Sequence, residues 1–198
     1  MTARRRESFA ERRERKAEIE DPAVVLEAAA RFLEARARSI GEVRRRLTTT
    51  GYRADLIEEA IVRLTELGML DDAAFARAWL ESRDRARPRG ERALSEELRV
   101  RGVDRTVIGE ALDERRASAA AVDDSGDETP PSADEAAAEK LLARNARALA
   151  RVADPRARRQ RAYALLARNG FSPSVCATAS AAAMADTSTD ALDVPPPD

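Results

Sequence analysis

Leu47-Thr48-Thr49-Thr50-Gly51-Tyr52 is the stretch on which the fold turns: a leucine, three residues, a glycine, then a hydrophobe. The order returns as Leu98-Arg99-Val100-Arg101-Gly102-Val103 and as Leu166-Ala167-Arg168-Asn169-Gly170-Phe171. An apolar pair follows each glycine: Leu56/Ile57, Val107/Ile108 and Val175/Cys176. A glycine behind a helical run supplies the left-handed residue that ends a helix, and the hydrophobe after it folds back onto the last turn. Three helix–Gly–helix joints predict an all-α chain of three tandem three-helix repeats, helix-turn-helix-like and elongated. Repeats present surface to a partner more often than they enclose a catalytic pocket.

Outward from the first joint, Ser39-Ile40-Gly41-Glu42 reads as a capping box that starts a helix, and Asp21-Pro22 as an N-cap with the first helical position. Leu56, Ile57, Ala60, Ile61, Leu64 and Leu67 recur at helical spacing. The first repeat is therefore expected over residues 22–69, behind a charged extension, 1–21, whose only large hydrophobes are Phe9 and Ile19. The second, 70–117, opens at Asp71-Asp72, turns Phe75, Ala76, Trp79 and Leu80 inward, and breaks at Pro88-Arg89-Gly90. Residues 118–133, rich in Asp, Ser, Gly and Pro from Asp123 to Ser132, read as a flexible acidic linker. The third repeat spans 134–185, with Leu141, Leu142, Leu149, Tyr163 and Leu166 on its first two helices and an Ala-rich third; 186–198 reads as a disordered tail. Nine helices are expected.

Composition agrees with helices. Of 198 residues, 43% are hydrophobic but only 4% aromatic, which disfavours sheets and suits close packing through alanine. The formal net charge of −1 hides segregation. Arg31–Arg53 holds seven basic residues against Glu34 and Glu42, and Lys140–Arg168 holds nine against Asp154. Local cationic stripes of this kind decide whether a polyanion binds. A single cysteine allows no internal disulfide and suits a reducing compartment. No apolar run approaches the roughly 20 residues of a membrane span, and the N-terminus lacks the apolar core of a signal peptide. A cytoplasmic protein without membrane contact is expected.

The chain has no histidine, which removes the usual Ser-His-Asp and Cys-His nucleophiles and, with one cysteine, a thiolate or imidazole zinc site. No phosphate-binding Gly-rich loop is present. No metal, cofactor or catalysis is expected. Asp71-Asp72 sits where carboxylates cap free N–H groups, and Cys176 lies on an apolar face as a small hydrophobe. The candidates for function are arginines: Arg83, Arg85, Arg87, Arg89 and Arg92 around the break in repeat two, and Arg156, Arg158, Arg159 and Arg161 opening the middle helix of repeat three. An Arg-rich helix is commonly just a solvated face. Here the clusters recur at matching places, and arginine suits bidentate contact with phosphate or carboxylate. No aromatics are interleaved, so contact with phosphates or an acidic protein surface is expected rather than base stacking.

The chain resembles the RecX family of bacterial regulators of the RecA recombinase. The resemblance lies in Arg38-Ser39-x-x-Glu42-Val43-x-x-x-Leu47-x-x-x-Gly51 and in Gly68-Met69-Leu70-Asp71-Asp72-x-x-Phe75-Ala76. It continues through Arg83, Gly90, Glu97-Leu98 and Gly102-Val103, and in layout through Gly170-Phe171. It implies a non-enzymatic monomer that binds within the groove of the RecA filament on DNA and modulates, as an inhibitor, recombinase and ATPase activity in recombination, repair and the SOS response. Two rivals differ in class. A direct DNA binder of helix-turn-helix-like units would need recognition-helix side chains for base edges, whereas Glu58, Glu59 and Glu66 make the third helix of repeat one acidic. An enzyme recruiting a divalent ion would need Asp71, Asp72 and Glu97 to converge.

Overall fold

The computed structural model describes residues 8–120 and 131–189. They form ten helices: α1 (Phe9–Ala17), α2 (Pro22–Leu33), α3 (Ile40–Thr50), α4 (Ala54–Glu66), α5 (Asp72–Ala86), α6 (Glu91–Arg101), α7 (Arg105–Ala120), α8 (Ala133–Ala150), α9 (Pro155–Arg168) and α10 (Pro173–Thr189). The protein is all-α, built of tandem helical repeats. The helix beyond the nine expected is α1. Its sequence is charged, but Ser8 and Glu11 close a reciprocal capping box, and Arg, Lys, Glu and Ala favour helix. The ends of the expected linker are helical too: α7 runs to Ala120, and Ser132 caps α8. Its middle, 121–130, lies outside the described residues, as does 190–198 of the expected tail; α10 itself continues to Thr189.

Gly51 and Gly102 have φ of 109° and 82°, the left-handed conformation their position at a helix end requires. The amide of Tyr52 reaches back to Leu47 O at 3.3 Å and that of Phe171 to Leu166 O at 3.4 Å, the six-residue closure of a Schellman turn. Tyr52, Val103 and Phe171, the hydrophobes behind the three glycines, are all buried.

These turns also join repeats. Ser39 Oγ accepts from the Glu42 amide at 3.1 Å and donates to Arg101 O at 2.6 Å. A Cβ on Gly41 would lie 2.6 Å from Gly102 Cα. One repeat later, the Gly90 amide donates to Asn169 O at 3.1 Å, and a Cβ on Gly90 would lie 2.5 Å from the Gly170 carbonyl carbon. In both cases the carbonyl just ahead of a turn glycine meets the start of another repeat's middle helix. At Gly51 the covering element is α1: a Cβ there would lie 2.7 Å from Arg13 O, and Lys16 Nζ donates to the Tyr52 hydroxyl at 2.9 Å.

The described residues form two compact units, those up to Ala76 with Arg99–Val107, and Arg77–Leu98 with those from Ile108 onward. The joints explain why repeat two is shared: the end of α6 belongs with α3, its start with the end of α9. In the first unit α2 and α4 enclose Val25, Ala29, Val43, Leu47, Leu56, Ile57, Ile61 and Leu64. In the second, α8, α9 and α10 enclose Ala138, Leu142, Leu149, Ala162, Leu166, Phe171 and Cys176. Phe75 is buried as expected; Trp79, expected beside it in the core, is only half-buried because its indole N–H has a surface partner.

Candidate partner-binding site

The break in repeat two is held by backbone contacts from two other helices. Arg144 of α8 donates to Ala86 O at 2.6 Å and Arg85 O at 2.7 Å, closing carbonyls that the end of α5 leaves open. Pro88 is fully buried, and Gly90 is tied to Asn169. A rigid turn thus carries the arginines, and it sorts them. Arg83 lies one helical turn from Trp79 and stacks over its ring at 4.3 Å. Its Nε donates to Glu97 Oε2 at 2.7 Å, and the Trp79 indole donates to the same oxygen at 2.9 Å. Arg89 meets Glu97 at 3.6 Å. Arg83 and Arg89 are therefore engaged by Glu97, although Arg89 keeps about a third of its side chain exposed. Arg85, Arg87 and Arg92 are exposed and make no side-chain hydrogen bond or ion pair among the described residues.

In the second cluster Asp154 caps α9 through the amides of Arg156 and Ala157. No acidic residue occupies its first turn. Cations at a helix N-terminus oppose the helix dipole, at a cost of about 0.3–1 kcal/mol each when exposed. Helix stability therefore does not explain why Arg156 stands there. Arg158 Nε is occupied by Val152 O at 3.0 Å; Arg156, Arg159 and Arg161 are exposed and without such partners among the described residues. Tyr163 is 38% exposed and sits one turn from Arg159 on the same helix face. An aromatic does accompany this cluster.

The second cluster spreads along α9 away from the break. The break docks at the end of α9, Asn169–Gly170, while Arg156 stands at its start, about 20 Å away at 1.5 Å per residue. The carboxylates considered for chemistry all have structural roles. Asp71 Oδ1 accepts from the Ala74 amide at 2.9 Å and caps α5. Asp72 does not cap its own helix; its Oδ1 accepts from the Ile40 amide at 2.8 Å, at the start of α3. Burial pushes the Asp72 carboxyl above its usual range despite that bond and nearby Arg44. Burial would also raise Glu42, but the Arg36 bond and charge, the Ser39 backbone and Arg101 hold it below the usual range. Among the described residues no group of three or more potential ligands could hold a metal. Burial pushes the Cys176 thiol up, as befits an inert core residue. No helix among the described residues is long and apolar enough to cross a membrane.

One network had no signal in the sequence. Arg115, 5% exposed, donates to both Asp84 oxygens at 2.9 Å and to Asp134 Oδ1 at 2.9 Å, while Asp134 Oδ2 accepts from the Glu91 amide at the start of α6. Arg115 thereby binds α5, α7 and α8 together.

Tandem three-helix units joined through glycine turns, with carboxylates in structural roles, define a helical-repeat protein. Models of the first and second three-helix domains of RecX match residues 26–64 and 71–112. Regulatory protein RecX of Mycobacterium ulcerans is 35% identical over 134 residues, 68% of this chain and 69% of that one. Its counterpart in Thermobifida fusca is 36% identical over 118 residues, 60% and 56% of the two chains. That of Mycolicibacterium smegmatis is 45% identical over 71 residues, 38% of its length. The chain belongs to the RecX family of regulatory proteins. Two crystal structures share the fold: a regulatory protein RecX (TM-score 0.62, 19% identity, 78% of this chain and 68% of that one) and RecX from Lactobacillus salivarius (TM-score 0.60, 20% identity, 87% and 96%).

Proposed function

We propose that this protein is a non-enzymatic regulator that binds the RecA filament on DNA and restrains recombinase and ATPase activity, acting as a monomer in the cytoplasm. Its contacts are the six exposed arginines, Arg85, Arg87 and Arg92 at the repeat-two break and Arg156, Arg159 and Arg161 on α9. Arg83, Arg89 and Arg158 position the backbone and neighbours from within. The observation that carries this reading is the first half of α9, where Arg156, Arg159 and Arg161 are exposed and have no side-chain partner among the described residues. Arginines spread over about 12–20 Å of α9 from the break suit a long, repeating anionic partner better than a small ligand.

The test is RecA-dependent ATPase and strand exchange on single-stranded DNA, with and without the protein. Reversing Arg156, Arg159 and Arg161 to Glu is expected to abolish the effect at unchanged helix content; wild-type behaviour by that variant would refute the site. The second reading, direct DNA binding without RecA, is favoured by Tyr163 beside Arg159, since an exposed ring next to guanidinium groups can stack a base. Loss of DNA affinity in Tyr163→Ala, without RecA present, would support it.

A further inference from the structure

The cationic stretch Arg31–Arg53 takes no part in that site. Within the first unit most of its arginines are matched: Arg31 with Glu27, Arg36 with Glu42, Arg44 with Glu58, Arg53 with Asp55. Two are not. Arg38 lies 4.1 Å from the centroid of the Phe32 ring, and Arg46, from α3, lies 5.7 Å from the same centroid. The two guanidinium groups are therefore no more than about 10 Å apart. Neither meets a carboxylate among the described residues, and the buried Arg38 Nε has no hydrogen-bond partner. Glu42, on the same helix as Arg46, is already taken by Arg36 and Arg101.

Two like charges gathered on one half-buried ring, with the nearby carboxylate engaged elsewhere, call for an anion from outside. We infer that Arg38 and Arg46, held by Phe32, form a phosphate-binding site for the backbone of single-stranded nucleic acid. Stacking on an aromatic face fixes the plane of a guanidinium and leaves its edge donors free, the arrangement that grips phosphate oxygens bidentately. A separation within about 10 Å lets the pair hold one phosphate from two sides or two successive phosphates of one strand. Arg46 is exposed, so a strand can reach it. The site lies in the first unit and is independent of the arginines assigned above.

The experiment measures binding of the full chain to fluorescently labelled oligothymidylate, without RecA, across a series of salt concentrations. Each lost phosphate contact on a single strand lowers the log–log salt slope by about 0.7, so Arg46→Gln is expected to lose about 0.7 and Arg38→Gln with Arg46→Gln about 1.4. Arg46→Lys, which keeps the charge, should retain most of the slope. Because Arg46 is exposed, its single variant decides the matter even if the double variant is poorly folded. An unchanged slope in Arg46→Gln, or no salt-dependent binding by the wild type, overturns the site. Loss of binding to polyglutamate with oligothymidylate binding intact would assign the pair to an acidic protein surface and overturns it equally. The RecA assays of the α9 variants report separately on the proposed function.

Discussion

Asp72 shows how far a single side chain can be read. Its place before an apolar helix predicts a cap, and it is one, but for the start of α3 rather than α5. Its carboxyl is raised by burial. The folded chain therefore binds this proton more readily than the unfolded chain, so the group adds stability as pH falls toward the unfolded value and loses it as pH rises through the folded one. Asp72→Asn is expected to flatten that slope and to match or exceed wild type at neutral pH, because its amide oxygen still accepts from Ile40. Asp72→Ala should cost about 1–2 kcal/mol through the unmet Ile40 amide. Denaturant melts at neutral and mildly acidic pH separate the two; equal losses in both variants at neutral pH would refute the account. Phe75→Ala, at 8% exposure, should lower stability by about 3–5 kcal/mol.

At the scale of elements, the glycine turns give opposite expectations for similar substitutions. Gly41 lies inside α3 with no unusual φ, yet an added methyl would meet the backbone of Arg101 and Gly102, which cannot step aside. Gly41→Ala is expected to lose about 1–3 kcal/mol, as overpacked sites do. Gly109, exposed within α7, has nothing within 4 Å, and Gly109→Ala should gain about 0.5–1 kcal/mol from helix propensity. Thermal melts of the pair make the comparison; stabilisation by Gly41→Ala would break the account of the joint. Removing the cation of a buried ion pair leaves its partners uncompensated, so Arg115→Ala should cost about 3–5 kcal/mol. The turns at Gly51, Gly102 and Gly170 were legible because a helix ending is a local event, written within six residues. Arg115 with Asp84, or Arg144 with Ala86, joins positions tens of residues apart, and nothing near either residue marks the pairing. The same reason hid Glu97, without which Arg83 and Arg89 look as available as Arg85 and Arg87.

For the molecule as a whole, stability and partner binding should answer differently to salt. The pairs Arg44–Glu58 and Arg53–Asp55 are about half exposed and contribute little, so screening them changes little. The Arg115 network is largely shielded from added ions. The contacts proposed for six exposed arginines have no such shelter. Raising ionic strength is thus expected to leave the melting temperature nearly unchanged while binding falls steeply, and melts and titrations in the same buffers check it. Parallel loss of both would mean that surface pairs, not the cores, hold the helices.

A repeat joint of this kind has direction, like a plug and a socket. Gly102 and Gly170 are plugs seated in the starts of α3 and α6. Gly51 is a plug as well, and what receives it is α1, a helix of nine residues none of which is buried. A row of such pieces would accept another at that point if it were bare. A short charged helix with no core of its own acts there as a stopper, shutting the place where the series would otherwise be extended.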